Sequence, residues 1–139
     1  MIFELLPSER IHLVVPLVQT MEKEPISEAV LLDRFREMIQ QNYECVGVFL
    51  EGQLIGLAGM WFCTRHYSGR SVEIDHVVVG KAFRGQGIGQ KLVRWIERYA
   101  ISKGYETIEL NAYVENELSH KFYEKQGYEK LGFHFLKSL

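Results

Sequence analysis

The stretch Val77-Val78-Val79-Gly80-Lys81-Ala82-Phe83-Arg84-Gly85-Gln86-Gly87-Ile88-Gly89 decides how the rest of this chain is read. An apolar strand stops, a turn follows, and three alternate glycines open an amphipathic helix. Side chains are missing where the first helical N–H groups have no partner. Bare amides and the helix dipole favour an anion there, most often a phosphate. The turn therefore reads as a pyrophosphate cradle. The competing reading, an ordinary glycine-rich turn, leaves unexplained three residues that cost backbone entropy without adding packing.

Spacing excludes two other cradles. A dinucleotide fingerprint, G-x-G-x-x-G, fails at Gln90, and a Walker loop fails because Gln86 stands where Lys is needed. What remains is Arg84-x-x-Gly87-x-Gly89. A second strand–helix unit follows and ends in Phe122-Tyr123-Glu124-Lys125-Gln126-Gly127-Tyr128. These two motifs, in this order, resemble the GCN5-related N-acetyltransferase (GNAT) family along nearly the whole chain. The ending through Phe133, Phe135, Lys137 and Leu139 is also similar to that of aminoalkylphosphonate acetyltransferases. Two departures are modest: Lys81 stands where many members carry Pro, and Ser119 where Ala is common.

The resemblance implies an α/β (α+β) fold with a mixed central sheet and splayed parallel strands, in the order β-α-α-β-β-β-α-β-α-β. Residues 1–139 are expected to form a single domain. The first strand covers Ile2 to Leu6. Ser8 is read as the N-cap of a first helix that Pro16 interrupts, and Ser27 as the cap of a second. A hairpin turns at Glu51-Gly52. The strand Val72 to Val79 leads into the cradle, and a helix runs from about Gly87 to Ser102. Thr107 to Val114 is the next strand, Glu117 to Gln126 a short helix, and Tyr128 to Leu136 the final strand.

The resemblance also implies acetyl-CoA as cosubstrate and N-acetyl transfer as the reaction. The cofactor-binding residues would be Val77, Val78, Val79, Arg84, Gly85, Gln86, Gly87, Ile88, Gly89, Asn116 and Tyr123. The valines offer backbone groups to the pantetheine amides, in the manner of strand addition. Amine attack needs a neutral nitrogen, so a general base is sought. Glu73 and Asp75 are the candidates, and by strand alternation they share a face with Val77 and Val79. Each is equally readable as a binding group for the substrate ammonium. His76 falls on the opposite face and is read as structural. Tyr123 occupies the family position for protonating the departing thiolate; its alternative is packing beside Phe122. Asn116 serves the pantetheine, the helix N-terminus, or both.

The motifs specify the donor better than the acceptor. Trp61, Arg65, His66 and Tyr67 are expected to line the acceptor site. Arg65 and Arg70 either recognise an anionic group or form a solvated basic loop. The acceptor is expected to be a small-molecule amine, attacked directly in a ternary complex. Acetylation of a protein or peptide, and a non-catalytic acyl-CoA-binding module, are the alternatives.

Composition fits this reading. Of 139 residues 47% are hydrophobic and 24% charged, with 16 Lys+Arg against 18 Asp+Glu. That balance offers no case for nucleic acid or an anionic membrane as partner. No apolar run is long enough to span a bilayer, so a cytoplasmic protein is expected. The five histidines and two cysteines show no ligand spacing, and no metal is expected. Cys45 and Cys63 are read as reduced, buried thiols, with Cys45 opposite about residue 59. Homodimer formation is left open.

Overall fold

The computed structural model describes residues 1–139. Two compact units emerge, Met1–Glu109 and Leu110–Leu139. The first unit begins with β1 (Ile2–Leu5), a 3₁₀ segment (Ser8–Val14), α1 (Val15–Gln19) and α2 (Glu28–Met38). The strands β2 (Tyr43–Leu50), β3 (Gln53–Arg65) and β4 (Gly69–Val79) follow, then a 3₁₀ turn (Lys81–Phe83) and α3 (Ile88–Ser102). Next comes β5 (Thr107–Leu110), and α4 (Glu117–Lys125) belongs to the second unit.

The sheet order is β1-β2-β3-β4-β5, and β1 to β4 pair antiparallel in sequence. The Glu51-Gly52 turn has φ of 50° and 79°, the left-handed pair that a two-residue hairpin requires. Cys45 lies opposite Gly59, as the sequence predicts. The helix α3 returns the chain to the end of the sheet where β4 begins, because the Glu106 N–H donates to the Arg70 carbonyl at 2.7 Å. Thus β5 runs parallel to β4, and the sheet is mixed. With four residues against eleven, β5 covers only the beginning of that edge.

Each sheet face buries a different helix set. A Cβ on Gly56 would meet Ile88 and Leu92, so Gly56, Ala58 and Met60 face α3. Leu57 and Trp61 face the other way, into a core with Val15, Val18, Leu31, Phe35, Tyr43 and Cys45. The α3 face owes its burial to Leu92, Val93 and Ile96, all fully buried at helical spacing.

Three expectations are corrected here. Ser8 does not cap a helix: the segment opens as a 3₁₀ turn after Pro7, and the α-helical part begins only at Val15 with Pro16 in its first turn. Cys45 is buried, but Cys63 is half-buried. The strand expected over Tyr128 to Leu136 does not form, so the order ends at α4. Its alternating apolar residues lack burial, with Phe133 and Phe135 75% and 90% exposed. Alternation names the face a strand would bury, but a strand also needs a partner.

Candidate active site

The turn before α3 takes the backbone shape that the glycines predict. Gly85 and Gly87 take φ of 77° and 76°, which L side chains adopt only at a cost, and an added Cβ at either would meet nothing within 4 Å. Gly87 is the N-cap of α3, and no side chain caps the helix. Its carbonyl accepts from the Lys91 N–H at 3.1 Å, so the amides of Ile88, Gly89 and Gln90 precede the first intrahelical bond. No acidic residue occupies the first turn to offset the dipole. Gln86 is exposed between the two left-handed glycines. Arg84 turns back, its Nε donating to the Val79 carbonyl at 3.1 Å.

The end of β4 supplies the rest. Val78 is buried against the α1–α2 core, while Val77 and Val79 are half-buried on the α3 side. The start of β4 has a different character. Arg65 donates from Nε to Glu109 at 2.8 Å and from Nη2 to Glu73 at 3.2 Å. The fully buried Ser71 donates to the same Glu109 oxygen at 2.6 Å. Burial pushes the Glu109 carboxyl up, but hydrogen bonds from Ser71 and Tyr67 and the Arg65 guanidinium outweigh it and hold the group below the usual carboxylate range. Arg65 is therefore engaged by two carboxylates. Arg70 donates to the carbonyls of Gly104 and Lys103 and lies over the Tyr105 ring, so it closes the end of α3. His66 and Tyr67 sit in the β3–β4 turn, their rings edge to face at 5.3 Å, with Tyr67 62% exposed.

Between these halves lies a feature absent from the sequence reading. Met60 pairs with Ile74 and Gly59 with His76, so Asp75 is an extra residue in β4, a bulge. The bulge resets the alternation. Glu73, opposite Trp61, falls on the α1–α2 side together with His76 and Val78, not with Val77 and Val79 as simple parity predicts. His76 thus joins the site instead of facing away from it. Its Nδ1 lies 3.4 Å from Asp75 Oδ2 and its Nε2 3.1 Å from the Tyr43 hydroxyl. The Trp61 ring packs on Tyr43 at 5.1 Å. The His76 hydrogen bond, helped by a smaller one from Trp61, holds Asp75 below the usual carboxylate range despite its partial burial. Sequence reasoning missed Tyr43, Gly59 and Glu109. Gly59 was the available signal, because an isolated glycine inside an apolar strand marks a bulge or a close approach.

In the second unit, Asn116 Oδ1 accepts from the Ser119 N–H at 3.1 Å and caps α4. Tyr123 lies on α4 between the rings of Phe122 and Tyr128, at 5.0 and 5.7 Å. Burial pushes its phenol up. No group of three or more His, Cys, Asp or Glu side chains is placed to hold a metal ion.

The end of β4 thus leads into an uncapped glycine turn, on a mixed sheet with a different helix set on each face. The acetyltransferase (GNAT) family model matches residues 12–128, and the chain belongs to that family. An aminoalkylphosphonate N-acetyltransferase from Salmonella typhimurium is 33% identical over 89 residues, which are 63% of this chain and 58% of that one. The match thus spans little more than half of that relative's length. A ribosomal-protein-alanine N-acetyltransferase from Brucella melitensis shares the fold at 21% identity, with TM-score 0.80 over all of both chains. An aminoglycoside N-acetyltransferase solved with CoA shares it at 16% identity and TM-score 0.82, over 99% of this chain and 93% of that one. Acetyl-CoA is the cosubstrate of the family, and the open, left-handed glycines at the α3 N-terminus fit its pyrophosphate.

Proposed function

We propose that this protein moves an acetyl group from acetyl-CoA to the primary amine of a small molecule by direct attack. The observation that carries the reading is the uncapped α3 N-terminus, opened by Gly85 and Gly87 directly after β4. The amides of Ile88, Gly89 and Gln90 would take the pyrophosphate, with charge-assisted bonds worth about 1.5–3 kcal/mol each. The backbone of Val77 to Val79 would take the pantetheine amides. Acetyl-CoA supplies a thioester carbonyl that an amine attacks, with CoA thiol as the leaving group.

Asp75 is the better placed of the two carboxylates to meet the amine. Its side chain is 43% exposed against 27% for Glu73, and the Arg65 guanidinium already engages Glu73. Trp61 borders Asp75 and would shield the ammonium from water. Burial raises the Tyr123 phenol, so Tyr123 keeps its proton. The activity for which the Salmonella relative is named, on an aminoalkylphosphonate, supports a small-molecule acceptor.

The test is thiol release from acetyl-CoA against diamines, aminophosphonates, aminoglycosides and peptides. Turnover with one class of small amine, lost in Asp75→Asn, supports the reading. Turnover only with peptides would replace it by protein acetylation. Tight CoA binding with no turnover on any amine would replace it by a binding module.

A further inference from the structure

Asp75 and His76 stand side by side at the bulge, yet the first side chain is 43% exposed and the second 9%. The contact between them fixes where the imidazole proton sits. An ionised carboxylate only accepts, so the ring carries its hydrogen on Nδ1, 3.4 Å from Asp75 Oδ2. That hydrogen bond is the main cause holding Asp75 below the usual carboxylate range. In the neutral ring Nε2 is then bare and can only accept. The Tyr43 hydroxyl, 3.1 Å from Nε2, is the donor. Tyr43 has that proton to give, because burial pushes its phenol well above the ordinary value. The polarity therefore runs one way, from the Tyr43 hydroxyl to His76 Nε2 and from His76 Nδ1–H to Asp75.

The ring that joins the two is packed into the sheet. Phe35 of α2 meets it edge on at 5.7 Å, and Tyr43 packs between Phe35 at 6.1 Å and Trp61 at 5.1 Å. Gly59 pairs with His76 at the bulge, and a Cβ there would collide with the Tyr43 hydroxyl and lie 2.7 Å from His76 Nε2. The Tyr43–His76 hydrogen bond thus lies over a bare Cα. The charged groups around it are engaged elsewhere or exposed. Glu73, on the same side of β4, is bonded by Arg65, and β3 contributes Gly59 and Trp61. From β2, Cys45 stays a thiol, pushed up to about 12 by burial. The charged residues of α2 are exposed, and α1 carries no titratable residue.

We propose that Tyr43 and His76 are positioning residues for the transfer: through the His76 ring they set the rotamer of the Asp75 carboxylate, so that it is already turned to the incoming amine. This rests on the acetyltransferase reading above. Neither residue touches the amine, and no proton leaves either of them. An aspartate on a strand has several staggered rotamers, and only some present the carboxylate to one point. Tying Oδ2 to a buried ring removes that freedom before the amine arrives, which is where orientation contributes to rate. The bulge serves the same end, because an unbroken strand would send Asp75 and His76 to opposite faces.

Nitrogen-15 NMR of the wild-type protein, with no acetyl-CoA present, reads the His76 tautomer. Neutral His76 is expected to carry its proton on Nδ1, with Nε2 bare. Tyr43→Phe keeps the packed ring and removes the donor, which frees Nε2 to hold the proton and costs Asp75 its hydrogen bond. The Asp75 carboxyl, followed by carbon-13 NMR, should then titrate higher than in wild type. With the best amine, kcat should fall about tenfold while KM for acetyl-CoA stays unchanged. Two substitutions of His76 separate positioning from packing. His76→Asn puts an amide N–H on the γ-carbon where Nδ1 stood but leaves space unfilled, whereas His76→Leu fills space and donates nothing. Positioning predicts that His76→Asn keeps kcat within about tenfold of wild type and His76→Leu loses about 10²-fold; packing alone predicts the reverse order. Neutral His76 protonated on Nε2 overturns the proposal, as does an Asp75 titration that Tyr43→Phe leaves unmoved, or a His76→Leu protein as active as His76→Asn. If the His76 variants fail to fold, the tautomer and Tyr43→Phe decide. If wild type turns over no amine, the acetyltransferase reading falls, while the tautomer and the Asp75 titration still decide whether the carboxylate is held.

Discussion

From Gly69 to Glu73, β4 is held by side chains: Ser71 on Glu109, Arg65 across Glu73 and Glu109, and the Arg70 N–H on Glu106. From Val77 to Val79 the same strand carries three valines, and what it has to offer a polar ligand is backbone. Asp75 separates the two halves as an extra residue. The first half can present charge to an amine. The second can lie along an extended amide-bearing chain, because no side chain there competes for it. On the proposed reading, the pantetheine arm of the donor and the ammonium of the acceptor would use those two surfaces, and the bulge marks where one gives way to the other.

The sharpest test of that division separates the two carboxylates. Asp75→Asn is expected to lower kcat by about 10²-fold or more, whereas Glu73→Gln, whose partner is Arg65, should lose less than about tenfold. Steady-state kinetics with the best amine decide it, and a larger loss in Glu73→Gln would move the reacting centre to the start of the strand. Gly59→Ala comes next, because it attacks the bulge through Tyr43 and His76 and leaves both carboxylates in place. The added methyl has to displace Tyr43 or His76, and urea denaturation should show a loss of about 1–3 kcal/mol. An unchanged midpoint would mean that the Tyr43–His76 contact yields freely. Gly87→Ala addresses the backbone half. Its φ of 76° costs an L residue about 1–2 kcal/mol. The dissociation constant for CoA, measured by calorimetry, should rise up to about tenfold, with kcat at saturation nearly unaffected. Loss of kcat without loss of affinity would contradict the separation.

How legible each half was in the sequence follows from what each is made of. The shape of the turn before α3 was readable because glycine at a left-handed position leaves a trace in composition: Gly85 and Gly87 stand where no other residue sits without strain. The hairpin register was readable for the same reason, through Glu51-Gly52. The bulge was not, because Asp75 is an ordinary strand residue by type and its insertion shows only in the pairing of β4 with β3. Parity applied to an unbroken strand then put Glu73 on the side of Val77 and His76 on the other. The partners Tyr43 and Glu109 come from strands more than thirty residues away on either side, so no local pattern joins them to Asp75 or Arg65. The last strand failed for a related reason: its period is local, but pairing is not.

The smallest effect concerns the side-chain half alone. Glu109 titrates below its ordinary value in the folded protein, so it adds stability above the ordinary Glu value of about 4.3. That contribution is lost as pH falls through the folded value. Glu109→Gln should therefore cost about 1 kcal/mol at pH 7, and the difference from wild type should shrink as pH falls below about 4.3. Chemical denaturation at a series of pH values measures it. The affinity for CoA should not follow, because the amides of Ile88, Gly89 and Gln90 do not titrate. A Glu109→Gln protein whose CoA affinity fell in step with its stability would show that the two halves of β4 are one cooperative unit, and the bulge at Asp75 would no longer divide them.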